Sequence, residues 1–327
     1  MSQNVRVIVT RKLPDPVEKQ LCDLFDVRLN QNDTPLTKND LQQAVQACDI
    51  LVPTVMDNID ADVIKFAGPR LKLMANFGVG VNHIDLEAAE ARGILVSNTP
   101  DVLTEDTADL TMALILMALR RLGEGERMIR SRNWSGWTPT QLMGRRVTKK
   151  RLGIIGMGRI GQALAERARG FGISIHYHNR NRIPEMLESR LAATYWSDLD
   201  QMLEYIDIIS INTPHTPSTV NILNSARLKL LQSHAVVINT SRGGLVDEDA
   251  LIEALKSGSI AAAGLDVFDG EPAINPELLK LENVVLLPHL GSATVEGRVA
   301  MGEKVIVNAK SFVDGTTPPD KVISSLL

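Results

Sequence analysis

Three segments in the last third of this sequence each set a polar residue just after an apolar, strand-like run. They are Arg242 in Asn239-Thr-Ser-Arg-Gly-Gly244, Glu271 in Gly264-Leu-Asp-Val-Phe-Asp-Gly-Glu-Pro272, and His289 in Leu287-Pro-His-Leu-Gly-Ser-Ala293. In an open parallel sheet that is where ligands sit. A guanidinium grips a carboxylate or carbonyl with two parallel hydrogen bonds, and an imidazole exchanges a proton near neutral pH. A carboxylate beside the imidazole orients the ring and favours its protonated form. Together Arg242, Glu271 and His289 suit the reduction of a 2-oxo acid, whose carbonyl oxygen gains charge as hydride arrives and then needs a proton. Arg242 and His289 are also expected to touch the substrate.

The hydride source is suggested by Gly156-Met-Gly158-Arg159-Ile160-Gly161. It follows the apolar run Leu152-Gly-Ile-Ile155 and opens an amphipathic helix, the context in which such a motif is informative. The first glycine permits a tight turn, the second lets the backbone approach a pyrophosphate, and the third lets helix and strand pack closely. The N–H groups and dipole at the helix start favour phosphate charge. About twenty residues on, NAD sites usually carry an acid for the ribose hydroxyls. Here the chain reads His176-Tyr-His-Asn179-Arg180-Asn-Arg182. The acid is missing and two arginines follow, so NADP(H) is favoured and NAD(H) is the alternative. Thr107, Thr213, Pro214, Thr240, Arg242 and Asp266 join this motif as expected cofactor neighbours. Asp266 either helps hold the nicotinamide side or caps a turn. The remaining histidines, His83, His176, His178, His215 and His234, are read as structural, with His178 near the cofactor.

The elements that must position these groups alternate between strand and helix almost throughout. Strands are expected over 5–9, 50–53, 71–76 and 94–97, with helices over 15–25, 36–47 and 85–92. A long helix over 104–121 leads into a polar segment with Trp134, Trp137 and Pro139. A second series then places strands at 151–155, 173–176, 208–212, 235–239, 262–266 and 284–287, before a last helix over 292–312. The expected fold is α/β: two Rossmann-like or flavodoxin-like domains with parallel sheets and the active site in the cleft between them. Residues 1–100 plus 289–327 are expected to form the substrate-binding domain, and 101–288 the dinucleotide-binding domain.

Bulk properties exclude other classes. The chain has 327 residues, 44% apolar and 23% charged, with a formal charge of −4. That is an ordinary globular balance with no general affinity for nucleic acid or membrane. Residues 1–10 read as a strand with a charge inside it and not as an export signal. The longest apolar run, 110–119, is half a membrane span and reads as a buried helix. Cys22 and Cys48 lack metal spacing, no metal site is expected, and a cytoplasmic location is the default.

The sequence resembles the D-isomer-specific 2-hydroxyacid dehydrogenase family. The likeness covers nearly the whole chain: Leu73-Met-Ala-Asn-Phe-Gly-Val-Gly80, the helix start Glu105-Asp-Thr-Ala-Asp109, the glycine motif and the three late segments in order. It implies that Arg242, Glu271 and His289 are the catalytic set and that backbone N–H groups near Val79 and Gly80 hold the substrate carboxylate. Gly78 and Gly80 fit that role because they let a backbone turn approach a ligand. Within the family the Asn-Arg-x-Arg loop is most similar to the glyoxylate and hydroxypyruvate reductase branch. That branch implies a homodimer with the 104–121 helix and the Trp segment at the interface, where Trp134 or Trp137 reaches the partner's pocket or else simply packs in a core. Two alternatives stay open: an NAD(P)H-sensing binding protein of the same fold, and a dehydrogenase for a larger 2-oxo acid.

Overall fold

The computed structural model describes residues 5–323, so the first four residues of the strand expected over 1–10 lie outside the described residues. The chain separates into two compact units. One runs to Leu103 and resumes at Ala293; the other is Thr104–Ser292. The second seam falls after Ser292 and not at the expected 288/289, so His289 belongs to the second unit. Hydrogen bonds between segments distant in the chain hold it there: Leu290 and Gly291 N–H donate to the Asp266 carboxylate, and Thr107 Oγ1 donates to Gly291 O.

The first unit holds five parallel strands: β1 (Arg6–Val9), β2 (Asp26–Arg28), β3 (Ile50–Val52), β4 (Leu73–Ala75) and β5 (Leu95–Ser97), in the order β2-β1-β3-β4-β5. Side chains alternate across each strand. Ile8, Leu51, Met74 and Val96 therefore enter one core with Leu41, Ala44 and Val45 of the helix Lys38–Ala47. Val7, Val9, Ile50, Val52, Leu73 and Ala75 enter another, against the helices Asp15–Leu24 and Val295–Val313. Those two helices meet at Gly302, where an added Cβ would lie 2.3 Å from a Val17 methyl carbon. Strand β2 is additional to the expected set. It is a three-residue edge strand with two exposed charged residues, Asp26 and Arg28, which blunt the edge and hide the strand from any apolar pattern.

The second unit holds seven parallel strands: β6 (Arg151–Ile155), β7 (Ser174–His178), β8 (Ala193–Tyr195), β9 (Ile208–Ile211), β10 (Val236–Asn239), β11 (Ala262–Leu265) and β12 (Val284–Leu286), in the order β12-β11-β10-β9-β6-β7-β8. The six expected strands are joined by β8, again a short edge strand. The chain reverses direction of growth between β6 and β9, and that switch point opens a crevice at their carboxyl ends. The helix Thr104–Arg120 buries Ala108, Met112, Leu114 and Ile115 in this unit's core together with Leu164, Ala165 and Ala168 of the helix Arg159–Gly170. It ends because Arg121 takes φ +55°. A second helix, Leu122–Arg130, follows where the sequence suggests only a polar segment; Gly123 and Gly125 hide it from propensity. No helix among the described residues is long and apolar enough to cross a membrane.

Candidate active site

The glycine turn joins β6 to the helix Arg159–Gly170. Gly156 has φ +98°, and a Cβ there would stand 2.6 Å from the Asn212 carbonyl oxygen. At Gly161 a Cβ would stand 2.4 Å from the Gly156 carbonyl oxygen, so these two positions exclude any side chain. Gly158 differs: nothing lies within 4 Å of its missing Cβ, and as the N-cap it offers no side chain to the first helical N–H groups, those of Arg159, Ile160 and Gly161. Open space at the start of a helix fits the pyrophosphate of a dinucleotide. Beside it, Asn212 Oδ1 is a buried acceptor without a hydrogen-bond partner. Such an atom calls for a donor from outside the protein.

The loop after β7 is bound into this turn. Met157 N–H donates to Asn179 Oδ1 at 2.7 Å, and Tyr195 Oη donates to the Asn179 carbonyl at 3.3 Å. Asn179 therefore braces the glycine turn with the same oxygen that an acid would turn toward a ribose. Arg182 is ion-paired with Glu188 at 2.5 Å. Arg180 is exposed at the apex. His178 Nδ1 meets the Trp196 carbonyl at 2.9 Å, a structural contact.

Further along the strand ends, Thr213 is half-buried, while the Pro214 carbonyl accepts from Thr219 Oγ1 at 2.7 Å. Thr240 Oγ1 and Thr111 Oγ1 share a hydrogen bond of 2.8 Å, and Thr111 also donates to the Thr107 carbonyl. Thr107 is thereby tied into the packing beneath the site. Asp266 is fully buried and accepts from Leu290 N–H at 2.7 Å and Gly291 N–H at 2.8 Å. Of its two readings, the turn cap is the one the geometry displays. Burial pushes its carboxyl above the usual carboxylate range, with the two N–H donors opposing.

That cap shapes the turn carrying His289, whose φ of +55° is the left-handed region that glycine favours. The His289 N–H donates to the Asp266 carbonyl at 2.9 Å, and its Nδ1 stands 2.7 Å from Glu271 Oε2. Glu271 Oε1 accepts from Phe268 N–H at 2.9 Å, so the carboxylate is oriented from both sides. Burial works to raise the Glu271 carboxyl, but His289, Phe268 N–H and the Arg242 charge outweigh it and hold the group below its ordinary range. Arg242 rides on a loop clamped by Asn239, whose Nδ2 donates to the Arg242 carbonyl and whose Oδ1 accepts from Ser241 N–H. Its Nη1 donates to the Ser241 carbonyl at 2.6 Å. Burial pushes the guanidinium down, with the Glu271 charge opposing.

In the first unit, the turn after β4 has its carbonyls tied down. Asn76 Nδ2 donates to the Gly78 and Gly80 carbonyls, both at 3.0 Å, and Asn98 Nδ2 donates to the Val79 carbonyl at 2.8 Å. His83 Nε2 holds Asn76 Oδ1 at 3.0 Å. The Val79 and Gly80 N–H groups make no backbone hydrogen bond among the described residues. Sequence reasoning missed Asn76, Asn98, Asn212 and Asn239, each at or just past a strand's carboxyl end, where a short amide can brace a ligand loop. That shared position was the available signal.

A doubly wound sheet with a glycine turn at its switch point, and a carboxylate–imidazole pair on neighbouring strand ends, defines a dinucleotide-binding oxidoreductase. Residues 112–291 match the model of the D-isomer specific 2-hydroxyacid dehydrogenase, NAD binding domain. A glyoxylate reductase from Thermococcus litoralis is 44% identical over 326 residues, covering 98% of each chain. The structure of a putative D-isomer specific 2-hydroxyacid dehydrogenase from Polaromonas superposes with a TM-score of 0.92 at 44% identity, covering 98% of this chain and 100% of that one. An NADPH-dependent glyoxylate/hydroxypyruvate reductase from Sinorhizobium meliloti, in complex with NADP and malonate, gives 0.86 at 35% identity, covering 98% and 97%. The chain belongs to the D-isomer-specific 2-hydroxyacid dehydrogenase family. Its cofactor is a nicotinamide dinucleotide.

Proposed function

We propose that this enzyme reduces glyoxylate and hydroxypyruvate to the corresponding 2-hydroxy acids, with NADPH preferred over NADH. The observation that carries the reading is the His289–Glu271 pair at 2.7 Å on the strand ends that also present Arg242. The nicotinamide, when bound, supplies hydride to the carbonyl carbon. His289 Nε2 donates the proton that the nascent alkoxide needs, since Nδ1 is committed to Glu271. Arg242 binds the carbonyl and carboxylate oxygens through its planar fork. The carboxylate is further assigned to the Val79 and Gly80 N–H groups. The pyrophosphate is assigned to the turn from Gly156 to Gly161, including Arg159 and Ile160, and the ribose 2′-phosphate to the loop Asn179–Arg182. Thr107, Thr213, Pro214, Thr240 and Asp266 shape the cofactor's surroundings. Relatives named glyoxylate reductase, and the NADP complex of the Sinorhizobium enzyme, support substrate and cofactor alike.

The test is an absorbance assay at about 340 nm with glyoxylate, hydroxypyruvate and a bulky aryl 2-oxo acid, each with NADPH and NADH. The reading requires the small acids to have the higher kcat/KM, NADPH to exceed NADH, and Arg180→Ala to narrow that gap. Equal or better turnover with NADH defeats the cofactor assignment, and preference for the aryl acid defeats the substrate assignment.

The enzyme is further proposed to be a homodimer. The interface is assigned to the helix Thr104–Arg120, which keeps Leu110, Leu116 and Met117 only half-buried, and to the segment over 122–143 that follows it. Leu122, Ile129, Trp134, Trp137 and Met143 are all exposed, Trp137 by 79%. Large apolar rings in contact with water favour burial against a partner. Sedimentation equilibrium reads the mass, and a monomer at micromolar concentration rejects the assignment.

A further inference from the structure

Glu188 is a buried carboxylate that no step of the reduction uses. It lies on the helix Glu185–Leu191, immediately after the cofactor loop, with its side chain 8% exposed. Arg182 donates to it through Nε at 3.0 Å and Nη2 at 2.5 Å, and the guanidinium lies over the Tyr195 ring, 5.7 Å from its centroid. The Tyr177 hydroxyl donates to Glu188 Oε1 at 2.5 Å and accepts the Ile183 N–H at 3.2 Å. The far end of the loop is thus fastened to Glu188 and Tyr177, and the near end to Met157 through Asn179. Between them, Arg180 and Asn181 form the exposed apex.

The charges matter as much as the geometry. Two arginines would offer a 2′-phosphate two positive charges, but Glu188 cancels one. Two of the Arg182 nitrogens already serve a carboxylate, so its fork is spent. Glu188 is nevertheless close enough to Arg182 that removing the arginine would turn a bare carboxylate toward the same phosphate. We propose that Glu188 sets the strength of cofactor discrimination: Arg182 acts mainly to neutralise Glu188, and Arg180 alone holds the 2′-phosphate. The proposal rests on the reading of this loop as the 2′-phosphate site. It makes Glu188 a positioning residue acting through Arg182.

Isothermal titration of the full-length protein with adenosine 2′,5′-bisphosphate and with AMP isolates this loop from catalysis. The quantity read is the ratio of the two dissociation constants. Arg180→Ala should lower the bisphosphate preference by about tenfold or more, the worth of a charge-assisted contact. Arg182→Ala should lower it as well, by exposing Glu188. Glu188→Gln should raise it roughly three- to tenfold, the effect of one charge at partly screened range. The double variant Arg182→Ala/Glu188→Gln should return to within about twofold of wild type. If the double variant stays as low as Arg182→Ala, Arg182 binds the phosphate itself and the proposal is overturned; no gain in Glu188→Gln overturns it too. Should Glu188→Gln fail to fold, Arg182→Lys decides: it keeps the neutralising charge without the fork, so a loss beyond about tenfold rejects the proposal. A wild-type ratio near one, unmoved by Arg180→Ala, removes the reading of the loop and this proposal with it. A clear wild-type preference with the variants out of order removes the proposal alone.

Discussion

His289 Nδ1 stands 2.7 Å from Glu271 Oε2, and the same carboxylate is held from its other oxygen by Phe268 N–H. The imidazole is therefore fixed in orientation, and Nε2 is the nitrogen left to exchange a proton. Replacing His289 with Ala should lower kcat by about 10²- to 10⁴-fold while the protein still binds NADPH. Glu271→Gln keeps the shape but removes the anion that orients the imidazole, so kcat/KM should fall about tenfold. Steady-state rates check both, and a Glu271→Gln kcat/KM within about twofold of wild type would show that Glu271 only fills space.

Arg242 is braced by Asn239 and half-buried, where a lysine lacks both the fork and the reach. Arg242→Lys should cut kcat/KM for glyoxylate by about 10²-fold or more, most of it through loss of oriented substrate binding. Recovery of more than a tenth of wild-type kcat/KM would mean that charge alone suffices.

The two glycines Gly158 and Gly161 should separate folding from binding. Gly161→Ala drives a Cβ against the Gly156 carbonyl, and a loss of roughly 1–3 kcal/mol in stability is expected from thermal unfolding. Gly158→Ala meets nothing, so the melting temperature should hold while fluorescence titration shows weaker NADPH binding. Both variants behaving alike would contradict the open space in front of Gly158.

His176 carries a pH dependence away from the site. Trp196 Nε1 donates to its Nδ1 at 3.2 Å, Tyr205 meets its ring edge-on, and Ser174 Oγ lies 3.5 Å from Nε2. Burial, with the Arg151 charge, lowers its pKa, and Asp207 partly opposes. A histidine with a lower pKa folded than unfolded makes the unfolded chain bind more protons. Its contribution to stability is thus complete above the unfolded value of about 6.5 and declines as pH falls below it. His176→Gln, which retains an acceptor for Trp196, should lose less melting temperature between pH 7.5 and 5.5 than wild type does. Parallel curves would remove His176 as the cause.

The α/β alternation, the glycine turn and the placement of Arg242, Glu271 and His289 just past strand ends are legible in the sequence because they depend on local chemistry. A run of apolar residues too short for a helix, a φ only glycine adopts and a polar residue at a strand's end each leave a local mark. Family membership rested on the order of those same motifs along the chain. Edge strands β2 and β8 stayed hidden because polar, half-exposed residues leave no periodicity to read. The seam after Ser292 stayed hidden because it is drawn by Asp266, twenty-odd residues earlier in the chain, accepting N–H groups from the His289 turn. The same holds in the cofactor loop, where sequence counted two arginines as equal. Only the folded chain brings Glu188 and Tyr177 under Arg182 and leaves Arg180 at the apex. A charge has a sign in the sequence, but whether it is spent or available depends on neighbours that the fold supplies.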